Sequence, residues 1–160
     1  MSGFAPEVSI KGLEELKRAA RVMPNETGKA LAQAQRTVAP VVQKMARGYA
    51  PRDKGQLDAS IQIDGPKGSR LNVETRIYTN LKHAIFQEFG TGIYGPTKRM
   101  IRPIRAKMLA WQSGGVWHRA KAVRGSKPHH FMEKSAKENT HRYWSHVHSN
   151  IQEVLAKLPK

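Results

Sequence analysis

Apolar residues recur every three or four positions along two long stretches of the chain, and this spacing predicts helices. The first stripe runs through Leu31, Ala34, Val38, Val41, Val42, Met45 and Tyr49. A shorter helix precedes it, with Leu13, Leu16 and Ala20 on one face, and Met23-Pro24-Asn25 is predicted to separate the two helices. Pro40 is expected to kink or split the second helix, because proline removes a backbone donor. The other stripe predicts a long C-terminal helix that begins at Phe131 and continues through Met132, Ala136, Tyr143, Val147, Ile151, Val154 and Leu158.

Alternating apolar and polar residues between these helices predict β-strands. Val8 to Ile10 is a short candidate strand, and Leu57 to Asp64 alternates over a longer one. Leu71 to Thr79 is predicted to pair with it in an antiparallel manner, with Gly65-Pro66-Lys67-Gly68 as the turn.

The region after these strands contains a short apolar segment and a second candidate hairpin. Ala84 to Phe89 is predicted to be helical or extended, with Phe86 and Phe89 anchoring it in the core. Met100 to Trp111 and Val116 to Val123 are extended segments joined by Gly114-Gly115, which predicts a hairpin. The fold class expected is α+β: an antiparallel sheet packed with N-terminal helices and a long C-terminal helix, with an extended basic β-hairpin. We expect a single domain over residues 1–160, with residues 92–127 forming a basic hairpin or loop insertion.

Charge is segregated along the chain. The sequence has 28 Lys and Arg against 12 Asp and Glu, for a formal net charge of +16. The segment from Phe89 to Met132, called the basic segment below, has no acidic residue. It carries Lys98, Arg99, Arg102, Arg105, Lys107, Arg119, Lys121, Arg124 and Lys127. Burying these groups without partners would cost much desolvation energy, so the segment should face water, a polyanion or an acidic partner.

Several classes of function find no support in the sequence. The chain has no cysteine, which excludes disulfides and thiolate metal sites. It shows no apolar run long enough to span a membrane and no signal-peptide layout at Met1 to Ile10. No catalytic constellation or phosphate-binding loop is recognisable, so we expect neither an enzyme nor a cofactor. His141 and His148 share a helix face, but no complete set of metal ligands accompanies them.

Aromatic residues interleave with the cations of the basic segment. Tyr94, Trp111 and Trp117 could stack on nucleic-acid bases or anchor a protein interface. The second use is favoured, because no helix-turn-helix, zinc-finger or RNP-type motif is present. The candidate residues facing a partner protein or DNA are Arg99, Arg102, Arg105, Lys107, Trp111, Trp117, Arg119, Lys121 and Arg124.

Four segments, in order, resemble sequence blocks of a tailed-phage family of tail components. Ile10–Leu16 is similar to "I-x-G-L-x-E-L", and Ala50–Ile61 to "A-P-x-D-T-G-x-L-x-x-S-I". His83–Thr91 resembles "Y-A-x-F-x-E-F-G-T", and Lys127–Met132 resembles the closing "x-P-x-P-F-[LM]". The family includes head–tail joining, neck and tail-completion proteins, for which no catalytic residues are known to us.

The resemblance implies a structural virion protein at the head–tail junction, assembled in the host cytoplasm. Its expected partners are further copies of itself in a ring, adjacent neck, connector or tail-tube proteins, and DNA in the channel as a further candidate, with no membrane. The basic hairpin, Met100 to Val123, is expected to reach these partners. The alternative left open is a stand-alone basic DNA-binding protein.

Overall fold

A computed structural model describes residues 13–52 and 55–157, apart from the side chains of residues 13–20 and 22. The strand predicted at Val8–Ile10 lies outside this part of the chain. The elements, in order, are α1 (Leu13–Tyr49), α2 (Gln56–Ser60), β1 (Gln62–Ser69), β2 (Asn72–Tyr78), α3 (Ala84–Phe89), β3 (Leu109–Ser113), β4 (Val116–Ala120) and α4 (Phe131–Ala156). In these described residues, helices with two antiparallel two-stranded sheets confirm the predicted α+β class.

The two long helices pack side by side in opposite directions. The Asn150 side chain donates to the carbonyl of Ala30, and the Tyr49 hydroxyl donates to the Glu138 carboxylate near the other end of the pair. Small buried residues on α1, including Ala34 and Ala46, allow the helices to approach closely. The predicted C-terminal helix is therefore confirmed, and it packs on the helix that carries the other apolar stripe.

The predicted break at Met23-Pro24-Asn25 is wrong, because α1 is one helix that contains both Pro24 and Pro40. Each proline removes one hydrogen bond, but its own φ is compatible with a helix. Pro40 is exposed, so the carbonyl that it leaves without an amide partner can be solvated. Buried residues on either side, Val38 and Ala46, hold the helix against its neighbours. Packing of these buried residues thus outweighs the local penalty at Pro40.

The first predicted strand begins later than expected. Leu57 to Ser60 belong to α2, and strand pairing begins only at Gln62. Leu57 and Ile61 are four residues apart and both buried, while Ala59 between them is exposed. This spacing fits a helical turn as well as it fits an alternating strand.

The predicted turn at Gly65–Gly68 is also wrong, because these residues lie within β1. The register shifts there, so that Gly65 and Pro66 together oppose the one residue between Glu74 and Arg76 of β2. Such an extra residue is a β-bulge, to which glycines with positive φ are well suited. The turn lies instead between Ser69 and Asn72, and the antiparallel pairing of the two strands is confirmed.

One apolar core cluster joins the ends of the long helices to the short elements. Its buried members are Ala46, Ala50, Leu57, Ile61, Ala84 and Phe131. The carbonyl of Ile61 accepts hydrogen bonds from Gln43 Nε2 at 2.8 Å and from Arg47 Nη2 at 2.7 Å. These bonds attach the segment between α2 and β1 to α1. Ala84 of α3 and Phe131 of α4 belong to the same cluster, so α3 and the start of α4 lie beside it.

Candidate interaction surface on the basic segment

The predicted hairpin is present but shorter than expected. Leu109 pairs with Ala120 and Ser113 with Val116, and Gly114-Gly115 form the turn, both with positive φ. Before Leu109 the chain is irregular except for one bridge between Ile101 and Val123. Pro103 lies between this bridge and β3, and it cannot donate to a strand ladder.

The register gives the hairpin two different faces. Side chains alternate along each strand, so Leu109, Trp111 and Val116 share one face with His118 and Ala120. The rings of Trp111 and His118 stack there with centroids 5.4 Å apart. Both faces are largely open to solvent. A two-stranded hairpin is marginally stable in water, so these exposed faces are suited to packing against another surface.

The other face carries Trp117 and Arg119. Trp117 lies opposite Gln112, and Arg119 opposite Ala110. Trp117 is 68% exposed, and Arg119 is exposed as well. This face therefore combines an aromatic anchor with a cation, a pairing that is common at binding surfaces.

Backbone hydrogen bonds at the base of the basic hairpin connect it to the rest of the protein. The amide of Ile93 donates to the Arg124 carbonyl at 2.8 Å, and the amide of Thr91 donates to the Ser126 carbonyl at 2.9 Å. Gly92, with φ of 63°, lets these strands of chain come close, since a Cβ there would lie 2.1 Å from the Arg124 carbonyl oxygen. The base is therefore a close-packed junction, and the hairpin extends from it.

All nine predicted interface residues lie at the surface on this one segment. They are Arg99, Arg102, Arg105 and Lys107 before β3, Trp111 on β3, Trp117 and Arg119 on β4, and Lys121 and Arg124 after it. Among the described residues, none of the seven cations in this set takes part in an ion pair within the chain. Their charges are thus available to a partner, and the contacts they make remain a prediction.

Glu88 is the structurally important residue that sequence analysis missed. Its side chain is buried, and its two carboxylate oxygens accept hydrogen bonds from the amides of Met132 and Glu133, each at 2.9 Å. These amides lie in the first turn of α4, where helix donors have no partner within the helix and the dipole favours a negative charge. Glu88 therefore caps α4 from α3. The sequence feature that could have indicated this role is the single carboxylate within the apolar segment Ala84 to Phe89.

The same end of α4 holds a group of potential metal ligands. Ligand atoms of Glu88, His130 and Glu133 lie within 4.8 Å of one another. Both oxygens of Glu88 are already hydrogen-bonded to amides, and His130 Nδ1 lies 3.0 Å from a Glu133 oxygen. Hydrogen bonding from Lys137 lowers the pKa of Glu133 below its usual 4.5. We interpret the group as a helix cap flanked by a surface ion pair.

The Tyr49 hydroxyl is a second group with a shifted pKa, at the contact between the long helices. Its hydrogen bond to Glu138 raises the pKa of Tyr49 above its usual 10.0. The Lys134 ammonium lies 4.3 Å from the centre of the Tyr49 ring. These contacts between Tyr49, Lys134 and Glu138 indicate packing of α1 on α4.

Phe86 and Phe89 do not anchor α3 in the core, contrary to the sequence prediction. Both side chains are about half exposed. Ala84 and Glu88, on the opposite side of α3, take the buried positions. The helix is held by the small residue and by the cap on α4, so the phenylalanines remain at the surface.

No helix in the described part of the chain is both long enough and apolar enough to cross a lipid bilayer.

Comparison with known proteins identifies a family over nearly half of the chain. Residues 13–90 match the family described as "Bacteriophage HK97-gp10, putative tail-component". The match includes α1, α2, the β1–β2 hairpin and α3, and it ends where the basic segment begins. No curated protein and no solved structure matches the chain. Over residues 13–90 this chain is therefore similar to the HK97-gp10-like family of putative bacteriophage tail components.

Proposed function

We propose that this chain is a structural protein of the head–tail junction in a tailed bacteriophage, where it completes the neck or the tail. In this proposal, copies form a ring and dock to adjacent neck, connector or tail-tube proteins. The family match over residues 13–90 is the single observation that carries the proposal. The ring, the junction and the site of assembly in the host cytoplasm go beyond that match.

The basic hairpin supports docking as the mode of action. Its aromatic and cationic side chains are exposed, and in the described residues its cations have no carboxylate partner within the chain. Cations on a projecting element gain most from an oppositely charged surface, which steers association and fixes its register. A ring forms when one surface of a subunit contacts a different surface of the next and the rotation closes.

Phage particles produced without this protein test the proposal directly. We expect filled heads and tails that fail to join, visible as separate objects by negative-stain electron microscopy. Supplying the wild-type protein to such an extract should restore joined, infectious particles. Normal virions made in the absence of the protein would rule out a joining role.

Charge reversal tests whether joining depends on the cations of the basic hairpin or only on the net charge of the protein. We expect the Arg105→Glu, Lys107→Glu, Arg119→Glu and Lys121→Glu combination to reduce joining at least about tenfold, because like charges now face the partner. Arg36→Glu, Lys44→Glu, Arg76→Glu and Arg142→Glu change the net charge equally on the exposed body and serve as the matched control. Yield of infectious particles in the complementation extract is the measurement. An equal loss in both variants would mean that net charge matters and the hairpin does not.

A stand-alone DNA-binding protein is the second candidate, favoured by the exposed tryptophans among the hairpin cations. It would bind duplex DNA tightly at low salt without any protein partner, and its affinity would fall steeply as salt rises. The same two variants distinguish the candidates. Tight DNA binding that only the hairpin variant loses, together with normal joining by that variant, would favour this alternative.

A further inference from the structure

The short helix α3 presents a row of large apolar side chains to solvent. Ile85, Phe86 and Phe89 are 57%, 54% and 49% exposed. Single exposed apolar residues are common on protein surfaces, whereas contiguous ones mark interaction sites. Nothing in the proposed role of the basic hairpin accounts for this row.

A groove accompanies the row. A hollow of about 340 Å³ lies between α3 and the chain that follows it, and its far wall contains Pro96, Thr97 and Ile101. A second hollow, of about 470 Å³, shares Ile85 and Phe89 and extends towards Phe131. We call this surface, formed by Ile85, Phe86, Phe89, Pro96, Thr97 and Ile101, the α3 groove. Its apolar walls can receive side chains from an incoming segment.

The flanks of the α3 groove are cationic. Lys82 lies two residues before α3, Lys98 and Arg99 follow the lining residue Thr97, and Arg102 follows the lining residue Ile101. All four side chains are exposed. The surroundings of the groove therefore attract a partner with negative charge.

No carboxylate of the neighbouring sequence balances these cations. Between Thr79 and Met132 the sequence has one acidic residue, Glu88. Its side chain is only 7% exposed, and both of its oxygens accept hydrogen bonds from amides of α4. Glu88 thus serves the helix cap of α4, and among the described residues it forms no ion pair with the cations of the flanks.

We propose that the α3 groove is a docking site for an acidic segment of a different protein. The segment inserts apolar side chains beside Phe86 and Phe89 and places carboxylates near Lys98, Arg99 and Arg102. A groove-to-groove contact with a second copy of this chain is disfavoured, because the two cationic rims would face each other. The inference depends on the groove alone and stands apart from the head–tail role.

Selection from random peptides tests both the apolar and the acidic requirement. The full chain is presented to a displayed library of random peptides of about twelve residues, long enough for an anchored helix or strand. We expect the recovered peptides to carry net negative charge and two or more large apolar residues. Their affinity, measured by fluorescence anisotropy, should fall at least about tenfold in the Phe86→Ser chain. It should also weaken as KCl is raised from about 50 to about 300 mM.

Trp117→Ser is the matched control, because it removes an exposed aromatic side chain from the basic hairpin. It should leave peptide affinity within about twofold, and thermal melting should show both variants folded. Recovered peptides without net negative charge, or peptides that bind the Phe86→Ser chain equally well, overturn the proposal. So does failure to recover any peptide that prefers the wild-type chain. Sedimentation showing self-association that Phe86→Ser abolishes would make a second copy the occupant and would also overturn it.

Discussion

Replacing Phe131 by alanine is expected to lower the free energy of unfolding by about 3–5 kcal/mol. Phe131 is 1% exposed and belongs to the core cluster with Leu57 and Ile61. Truncation removes its buried apolar surface and leaves a cavity that the neighbouring helices can fill only in part. Because whole domains of this size are stable by only about 5–15 kcal/mol, the effect is a large share of the total. Urea denaturation followed by circular dichroism measures it.

The matched control is Phe86→Ala, which makes the same chemical change on α3. Phe86 is about half exposed, so we expect its loss to cost less than about 1 kcal/mol. Similar destabilisation by the two variants would contradict the assignment of Phe131 to the core and Phe86 to the surface.

Glu88→Ala is expected to lower the free energy of unfolding by about 2–3 kcal/mol. The substitution removes both acceptors from the Met132 and Glu133 amides and deletes a negative charge beside the N-terminus of α4. The effect should exceed that of an ordinary exposed cap, because the carboxylate is buried and connects α3 to α4. Hydrogen exchange should show the largest loss of protection in the first turn of α4.

Two further substitutions test whether the destabilisation by Glu88→Ala comes from the lost helix cap. Glu88→Gln keeps one side-chain acceptor and loses the charge, so it should fall between the wild type and the alanine variant. Glu133→Ala removes an exposed carboxylate from the same helical turn and should have a much smaller effect. Equal losses in Glu88→Ala and Glu133→Ala would rule out the capping role.

The ion pair between Glu133 and Lys137 makes a pH-dependent contribution to stability. Lys137 lowers the pKa of Glu133, so the stabilisation from that pair is present above about pH 4.5 and is lost as the pH falls through the lower folded pKa.

The long-range capping by Glu88 gives a physical reason for the block that resembles "E-F-G-T". Glu88 accepts hydrogen bonds from the start of α4, Phe89 lines the α3 groove, and Gly90 has a positive φ of 73° where the chain turns away. The amide of Thr91 bonds to the carbonyl of Ser126. Four consecutive residues thus join the body, the groove and the base of the basic hairpin.

Elements with a strong local signal were predicted correctly from the sequence. The spacing of apolar residues from Met132 to Val154 indicated α4, and Gly114-Gly115 indicated the turn of the basic hairpin. Both signals depend on residues close together in the chain, so no distant partner is needed to read them. The exposure of the cations on the basic segment also followed from composition, because nine of them without a carboxylate could not be buried.

Sequence patterns alone indicated the fold class, the C-terminal helix and the position of the basic hairpin. They also indicated a family resemblance in blocks from Ile10 to Met132, of which the family match covers residues 13–90. Contacts between distant elements were needed to show that α1 continues through Pro24, that Leu57 lies on a helical turn, that Phe86 is exposed and that Glu88 caps α4. Each of these depends on what a distant element offers: a packing surface, a buried position or a set of free amides. Local spacing shows which residues are apolar or charged, but the competition among all the elements for burial decides which of them reach the core.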